Sequence, residues 1–209
     1  MARRLEFLDH AERTGAYIVE DDFDSEFRYA GRPIPAMAGM KDSERVFYVG
    51  SFSKIFAAHL RLGYLVLPEH LTDLFRESLS AYGVTASIMP QRPLAEFLKS
   101  GEFHRHIRRM RRIYGTRRKA FFQLVDQHLA GRVACRDHQA GMTVLLGLPD
   151  GRSDRAIARQ AAQAGVILQP ASEFFAGSPR TSGLLAGFSA FEPDEMETPM
   201  RVLADILDR

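Results

Sequence analysis

Lys54 stands among small hydroxyl side chains, in the order Ser51-Phe52-Ser53-Lys54, directly after an apolar run. A lysine in this setting can form an imine with a carbonyl compound, because partial burial and nearby positive charge favour the neutral, nucleophilic amine. The serine hydroxyls and the adjacent backbone amides could bind a phosphate, and Arg61 could add a planar, permanently charged partner. An imine-forming lysine beside phosphate-binding groups is what a pyridoxal phosphate cofactor requires.

Two adjacent carboxylates follow a second apolar run, residues 16–19. Asp21 and Asp22 come after this run, and ligands in open α/β sheets bind beyond the carboxyl ends of the strands. A pyridoxal ring needs a carboxylate on its nitrogen, because the protonated ring is the better electron sink. Asp21 or Asp22 could provide that carboxylate.

Each of these groups also has an ordinary structural explanation. A lysine near the end of a strand is usually a solvated surface residue. Acidic pairs after a strand are often helix caps or exposed turn residues, and serines near a glycine often mark only a turn. Arg61 alone would be a routine ion-pair residue. Spacing by itself therefore leaves the cofactor site a hypothesis.

Composition narrows the possible functions. The net charge of +2 is too small to indicate nucleic acid or an anionic membrane by itself. Cys135 is the only cysteine, so neither an intrachain disulfide nor a cysteine metal cluster can form, and we expect a cytoplasmic protein. No stretch approaches the roughly 18 apolar residues of a membrane span, so we expect a soluble chain. His104 and His106 lack the i, i+4 spacing of a metal pair, and no metal site is predicted.

One segment is strongly basic and permits another function. Counterion release along such a stripe would give salt-sensitive DNA binding. Arginines on a long helix between domains are more often a solvated or dimer-contacting face. The basic residues are Arg105, Arg108, Arg109, Arg111, Arg112, Arg117, Arg118 and Lys119.

Helices and strands alternate along the chain. Short, nearly continuous apolar strands separated by helices or long turns predict an α/β layer structure with a covered sheet. The second half predicts a small α+β domain. The first part holds only about three strands, fewer than the usual roughly 4–6, so we expect part of that domain upstream of Met1. The predicted strands are 16–19, 46–49, 62–67, 133–135, 142–146, 166–168 and 184–188, and the predicted helices are 2–14, 156–164 and 193–207, with further helices between 68 and about 125.

Several strings are more specific than these patterns, and together they resemble the class I/II aminotransferase domain of MocR-type regulators in the GntR family. The resemblance runs in order along essentially the whole chain. The strings are Glu20-Asp-Asp-Phe-Asp-Ser-Glu-Phe-Arg-Tyr29, Gly31-Arg-Pro33, Tyr48-Val-Gly-Ser-Phe-Ser-Lys54, Leu60-Arg-Leu-Gly-Tyr-Leu65, Phe103-His-Arg-His-Ile-Arg-Arg-Met-Arg-Arg-Ile-Tyr114 and Ala140-Gly-Met142.

This resemblance implies a pyridoxal-phosphate-dependent transferase fold of type I. Residues 1–92 would be the C-terminal half of the large cofactor domain, and residues 93–209 a connecting helix with the small C-terminal domain. The family's winged-helix DNA-binding domain and the first half of its cofactor domain would precede Met1. The resemblance also implies a homodimer that senses a small amine or amino acid and contacts DNA only through the winged-helix domain.

The resemblance assigns roles to individual positions. Lys54 matches the Schiff-base lysine, and Asp21 matches the aspartate that pairs with the pyridine nitrogen. Ser51, Ser53 and Arg61 match positions on the phosphate side.

Two positions depart from the family pattern. Phe23 stands where the family usually has a tyrosine that binds the cofactor's 3-oxygen, so that hydrogen bond is lost. Leu185 stands where aminotransferases place an arginine that clamps the substrate carboxylate. A leucine cannot bind a carboxylate, which favours sensing over transamination. The alternative is a fragment of a genuine class I/II amino-acid aminotransferase, and enzymatic turnover is left open.

Overall fold

The chain divides into two compact units. The computed structural model describes residues 1–22, 24–56, 58–83 and 86–209. The first unit comprises residues 1–26 and 31–107, and the second comprises residues 27–30 and 108–209. The family-domain limits predicted from the sequence, 1–92 and 93–209, stay a prediction.

The first unit contains a three-stranded sheet in the order β1-β2-β3. β1 runs parallel to β2, and β3 runs antiparallel to β2. Helix α1 matches the predicted helix over 2–14, and it ends at Gly15, whose φ of 71° suits glycine. The elements are α1 (Ala2–Thr14), β1 (Ile18–Asp22), β2 (Val46–Ser51), β3 (Gly63–Val66), α2 (Thr72–Tyr82), α3 (Gln91–Lys99) and the start of α4 (Glu102–Leu129).

Strand β1 extends further than the sequence predicts. Its pairing with β2 continues to Asp22, so the acidic residues lie within the strand and not beyond it. Glu20 is buried there because its charge has partners. Arg4 forms an ion pair with it, and the backbone amide of Met37 donates to its Oε2 at 2.7 Å. The sequence pattern around Glu20 could not reveal Arg4 and Met37 as its partners, because both lie far from it along the chain.

The sheet that the sequence predicts to be covered has exposed apolar side chains on its edge strands in the described chain. Val19 of β1 is 67% exposed, and Leu65 and Val66 of β3 are 44% and 50% exposed. β1 and β3 form the two edges of the sheet, so each lacks a neighbouring strand on one side within the described ranges.

The second unit is built on a four-stranded antiparallel sheet in the order β4-β5-β7-β6. The predicted strands over 133–135 and 142–146 are confirmed as β4 and β5, which pair antiparallel. The predicted strand over 166–168 is wrong: the amide of Val166 donates to the carbonyl of Ala161 at the end of α5, so pairing with β7 begins only at Gln169. The elements are β4 (Ala134–Cys135), β5 (Thr143–Gly147), α5 (Asp154–Gln163), β6 (Gln169–Pro170), β7 (Gly183–Gly187) and α6 (Pro193–Leu207).

A buried carboxylate connects three segments of this unit. Asp154 at the start of α5 is 3% exposed. Its Oδ2 accepts from the amides of Ser172, at 2.9 Å, and Gly183, at 3.1 Å, while its Oδ1 accepts from the Ser172 hydroxyl at 2.7 Å. Burial acts to raise the pKa of Asp154, but the hydrogen bonds outweigh it and hold the pKa below its ordinary value. The carboxylate therefore fixes β7 and the segment after β6 to α5.

No helix of the described chain is both long enough and apolar enough to cross a membrane.

Candidate functional site

The register of the first sheet separates the two candidate aspartates. Asp21 pairs with Val49 and Asp22 pairs with Gly50 across β1 and β2. Side chains alternate between the faces of a sheet, so Asp21 shares a face with Val49 and Ser51, whereas Asp22 lies on the opposite face. The two sequence candidates for the ring-nitrogen carboxylate are thus on different sides, and only Asp21 shares a face with Ser51.

Asp22 is already engaged by its own neighbours. The Tyr48 hydroxyl donates to its Oδ2 at 2.8 Å, and the Ser25 amide donates to its Oδ1 at 3.1 Å. Burial and this hydrogen bond raise the pKa of Tyr48 well above its usual value, so the phenol stays a donor. Asp22 therefore supports the fold, while Asp21 is exposed on the other face.

Lys54 lies in a tight turn immediately after β2. The amide of Phe56 donates to the carbonyl of Phe52 at 2.9 Å, and the amide of Phe52 donates to Leu62 at 3.1 Å. Within the turn Ile55 is buried, whereas Lys54 is exposed. Burial of Ile55 thus holds the backbone of the turn, while the Lys54 amine is exposed and not partly buried as expected from the sequence.

The two serines of the motif contact each other. The Ser51 hydroxyl accepts a hydrogen bond from the Ser53 amide at 3.1 Å. This contact shapes the start of the turn and still leaves the Ser51 hydroxyl hydrogen able to donate to a ligand.

His106 of α4 anchors the same turn. Its Nε2 lies 3.0 Å from the carbonyl oxygen of Ile55, the residue after the lysine. The imidazole packs edge-on against the rings of Phe56, at 5.5 Å, and Phe97, at 6.4 Å. In the sequence, His106 was considered only as half of a metal pair, and its one link to this contact was its place in the family string Phe103 to Tyr114.

Asp24 is a further charged neighbour that the sequence analysis did not single out. Burial raises the pKa of Asp24, the charge of Asp22 raises it further, and the charge of Lys54 acts in the opposite direction. The Asp24 carboxylate is therefore within electrostatic reach of the Lys54 amine. In the sequence, Asp24 is marked only by its position in the family string from Glu20 to Tyr29.

Arg61 adopts an unusual backbone conformation. Its φ is 50°, in the left-handed region that favours glycine or asparagine. The residue is exposed and directly precedes Leu62, whose carbonyl accepts from Phe52 at the start of the lysine turn. The guanidinium is thus attached to the same local framework as Lys54.

Gly50 of β2 accommodates an aromatic ring from β3. A Cβ atom at Gly50 would lie 2.2 Å from Cζ of Tyr64, so a side chain there would displace the ring. The Tyr64 ring also contacts Phe52, at 5.4 Å between centroids, and Tyr48, at 6.1 Å. The glycine therefore allows an aromatic group to pack beside the strand that leads to the lysine.

Phe23 and Leu185 are the two remaining positions that the sequence analysis singled out. Phe23 lies outside the described residues. Leu185 lies in β7 of the second unit, where it pairs with Leu145 and Gln169. It is partly exposed, because it points away from the sheet face that buries Leu184.

Comparison with known proteins defines the class. The family model for aminotransferase class I and II matches residues 4–185. This chain belongs to that family. The predicted type I transferase fold is confirmed by the α-aminoadipate aminotransferase of Thermus thermophilus, solved with N-(5′-phosphopyridoxyl)-L-leucine. It is 27% identical with a TM-score of 0.86, and the match covers 98% of this chain and 53% of that one.

The resemblance to MocR-type regulators is also confirmed. The chain is 40% identical over 196 residues to the probable rhizopine catabolism regulatory protein MocR of Rhizobium meliloti, covering 94% of this chain and 40% of that protein. It is 33% identical over 201 residues to the uncharacterized HTH-type transcriptional regulator YdeL of Bacillus subtilis, covering 96% of this chain and 43% of that protein. The chain therefore spans less than half the length of these relatives.

Proposed function

We propose that this chain is the pyridoxal-phosphate-binding, effector-sensing part of a MocR/GntR-type transcriptional regulator. The observation that carries the proposal is the sheet register: Asp21 and Ser51 share one open face, and the exposed Lys54 follows in the turn after β2. The family membership and the phosphopyridoxyl adduct of a solved relative support the cofactor.

The residues present fit such a cofactor. Lys54 supplies the primary amine for a covalent link, and the exposed Asp21 supplies a carboxylate for a protonated ring nitrogen. The Ser51 hydroxyl and the Arg61 guanidinium supply a hydrogen-bond donor and a positive charge for a phosphate. When bound, the cofactor supplies an electron sink for bonds at an amine carbon.

Leu185 favours sensing over turnover. An arginine at this position would bind a carboxylate through two parallel hydrogen bonds, whereas leucine offers only apolar surface. Without that clamp, an amino acid is oriented less strictly, and orientation contributes much of the rate in such reactions. We infer that the effector is a small amine or amino acid that reacts with the cofactor at the Lys54 site.

The partners follow from the longer relatives. Both regulators extend well beyond the matched segment, and one of them is named as an HTH-type regulator. We propose that DNA is contacted by a winged-helix domain outside this chain and that the domain acts as a homodimer in the cytoplasm.

Borohydride trapping tests the proposal directly. The purified chain is mixed with pyridoxal phosphate, reduced with borohydride and analysed by peptide mass spectrometry. We expect one stoichiometric label on Lys54 and none in Lys54→Ala. The matched control Lys41→Ala removes another exposed lysine and should leave the label intact. Equal labelling of several surface lysines would contradict the proposal.

A second function is favoured by the family itself. The solved α-aminoadipate aminotransferase shares the fold across 98% of this chain. If the longer protein is an aminotransferase, amino-group transfer to a 2-oxo acid should be measurable without substitution at Leu185. Absence of transfer together with a Lys54 label would favour the sensing function.

A further inference from the structure

Part of the basic segment of α4 lines a concave pocket in the second unit. The pocket has a volume of about 440 Å³, within the range of small-molecule sites. Its charged walls are four guanidinium groups, and an aromatic ring and an amide complete it. The residues are Arg108, Arg111, Arg112, Arg118, Tyr29 and Gln139.

Two other basic side chains of the segment have partners outside the pocket. Arg105 forms an ion pair with Glu102. Arg117 donates to the carbonyl of Ser189 at 2.5 Å and forms an ion pair with Glu192. These contacts partly neutralise Arg105 and Arg117, whereas four other arginines line the pocket.

One wall of the pocket is held rigidly. The Arg118 guanidinium lies 5.4 Å from the ring centroid of Tyr29 and 4.8 Å from that of Phe122, and it forms an ion pair with Asp137. The side-chain amide of Gln139 donates to the same carboxylate at 2.6 Å. Asp137 is therefore engaged by its immediate neighbours.

Two arginines of the pocket have no such partner. Arg108 and Arg112 are exposed, and neither forms an ion pair with a carboxylate within the part of the chain that the structure describes. They are four residues apart on one helix face, where like charges repel. Gly115, one turn further on, has no side chain to fill the space between the helix and Tyr29.

We propose that this pocket binds a small phosphorylated molecule, with Arg108 and Arg112 as the primary phosphate ligands. Guanidinium groups match phosphate oxygens through paired hydrogen bonds, and a multiply charged anion removes the repulsion along the helix. The pocket is larger than an inorganic phosphate needs, which favours a phosphate ester or a polyphosphate. All lining residues belong to the second unit, whereas Lys54 belongs to the first.

Titration calorimetry with inorganic pyrophosphate tests this proposal on the full chain. Loss of two charge-assisted contacts in an Arg108→Gln/Arg112→Gln variant should weaken binding at least about tenfold. The matched control Arg109→Gln/Lys119→Gln removes the same charge from exposed residues outside the pocket and should retain the wild-type affinity. An equal loss in both variants would show general charge attraction and overturn the proposal.

A second variant fills the pocket without changing its charge. Gly115→Met should exclude pyrophosphate while circular dichroism stays native, because an added Cβ meets Tyr29 only at an ordinary 3.6 Å. Unchanged affinity in a folded Gly115→Met would overturn the pocket as the site. Two further probes test the class of ligand. If succinate binds as tightly as pyrophosphate, the pocket does not select phosphate and the assignment is overturned. If duplex DNA binds and both charge variants weaken that binding equally, the assignment is overturned as well.

Discussion

Tyr48 and Asp22 are joined by a hydrogen bond of 2.8 Å from phenol to carboxylate, on the sheet face opposite to Asp21. This arrangement predicts different roles for the two adjacent aspartates. Asp21→Ala should weaken the binding of pyridoxal phosphate at least about tenfold, since a hydrogen bond to a charged group contributes about 1.5–3 kcal/mol. Asp22→Ala is the matched control. It should keep the cofactor affinity and lower the free energy of unfolding by roughly 1–3 kcal/mol.

Cofactor titration monitored by absorbance, together with urea denaturation, separates these effects. The reverse pattern, in which Asp22→Ala loses the cofactor and Asp21→Ala binds it normally, would assign the ring-nitrogen contact to Asp22.

Asp154 should make the stability of the second unit depend on acid pH. The folded state holds its pKa below the ordinary 3.8, so the unfolded chain binds its proton first as the pH falls. The stabilisation is fully present above about pH 4 and is lost as the pH drops through the folded-state pKa. Asp154→Asn should lower the free energy of unfolding by roughly 1–3 kcal/mol at pH 7, with a smaller difference from wild type at low pH.

Denaturation from pH 7 down to about pH 3 measures this dependence. Asp205→Asn, at an exposed carboxylate in α6, is the control and should change stability little. A constant difference between wild type and Asp154→Asn at all pH values would rule out the carboxylate as the titrating group.

His106 should position the lysine turn through the Ile55 carbonyl. His106→Leu removes this contact, and loss of one hydrogen bond should reduce cofactor affinity by roughly three- to tenfold. His106→Gln retains a donor and should restore most of the affinity. His104→Leu, at an exposed histidine of the same helix, should have no effect. If His106→Gln is as weak as His106→Leu, packing against Phe56 and Phe97 is the dominant contribution.

Gly50 should tolerate alanine only when the ring of Tyr64 is absent. Gly50→Ala forces the ring away from Phe52 and should lower the free energy of unfolding by roughly 1–3 kcal/mol. In a Tyr64→Ala background the same change should be close to neutral, because nothing obstructs the new Cβ. Denaturation of the four variants gives the coupling energy, and an additive result would show that the ring moves aside without cost.

Leu185 should control recognition of a carboxylate. Leu185→Arg is expected to strengthen the binding of amino acids to the cofactor-loaded protein at least about tenfold, while amines without a carboxylate gain nothing. Leu185→Lys adds the same charge without the planar fork and should gain much less. Spectral titration with matched amine and amino-acid pairs measures the difference, and no gain with arginine would mean that another feature excludes the carboxylate.

The sequence predicted best where the determinants are local. The predicted helix over 193–207 agrees with α6 at both ends, because Pro193 starts it and Glu192 and Glu195 form a capping box. The Lys54 turn was found from its motif. The limits of β1 were missed because the burial of Glu20 depends on Arg4, sixteen residues away. The His106 contact was missed for the same reason, since it joins positions 51 residues apart.

The choice between Asp21 and Asp22 shows what strand register adds. From the residues alone both carboxylates remained candidates, and only the resemblance preferred one. Pairing of Asp21 with Val49 brings it to the face of Ser51, and this information lies in the hydrogen bonds between strands.

The backbone conformation of Arg61 lowers the stability of the fold, whereas its guanidinium is proposed to bind a phosphate. An arginine held at a φ of 50° costs the folded chain about 1–3 kcal/mol relative to a residue that accepts this conformation. Glycine or asparagine would relieve the strain but remove the positive charge beside the lysine turn. Under the proposed role of Arg61 in phosphate binding, a stabilising substitution at this position is expected to weaken that binding, so added heat stability is expected from other positions.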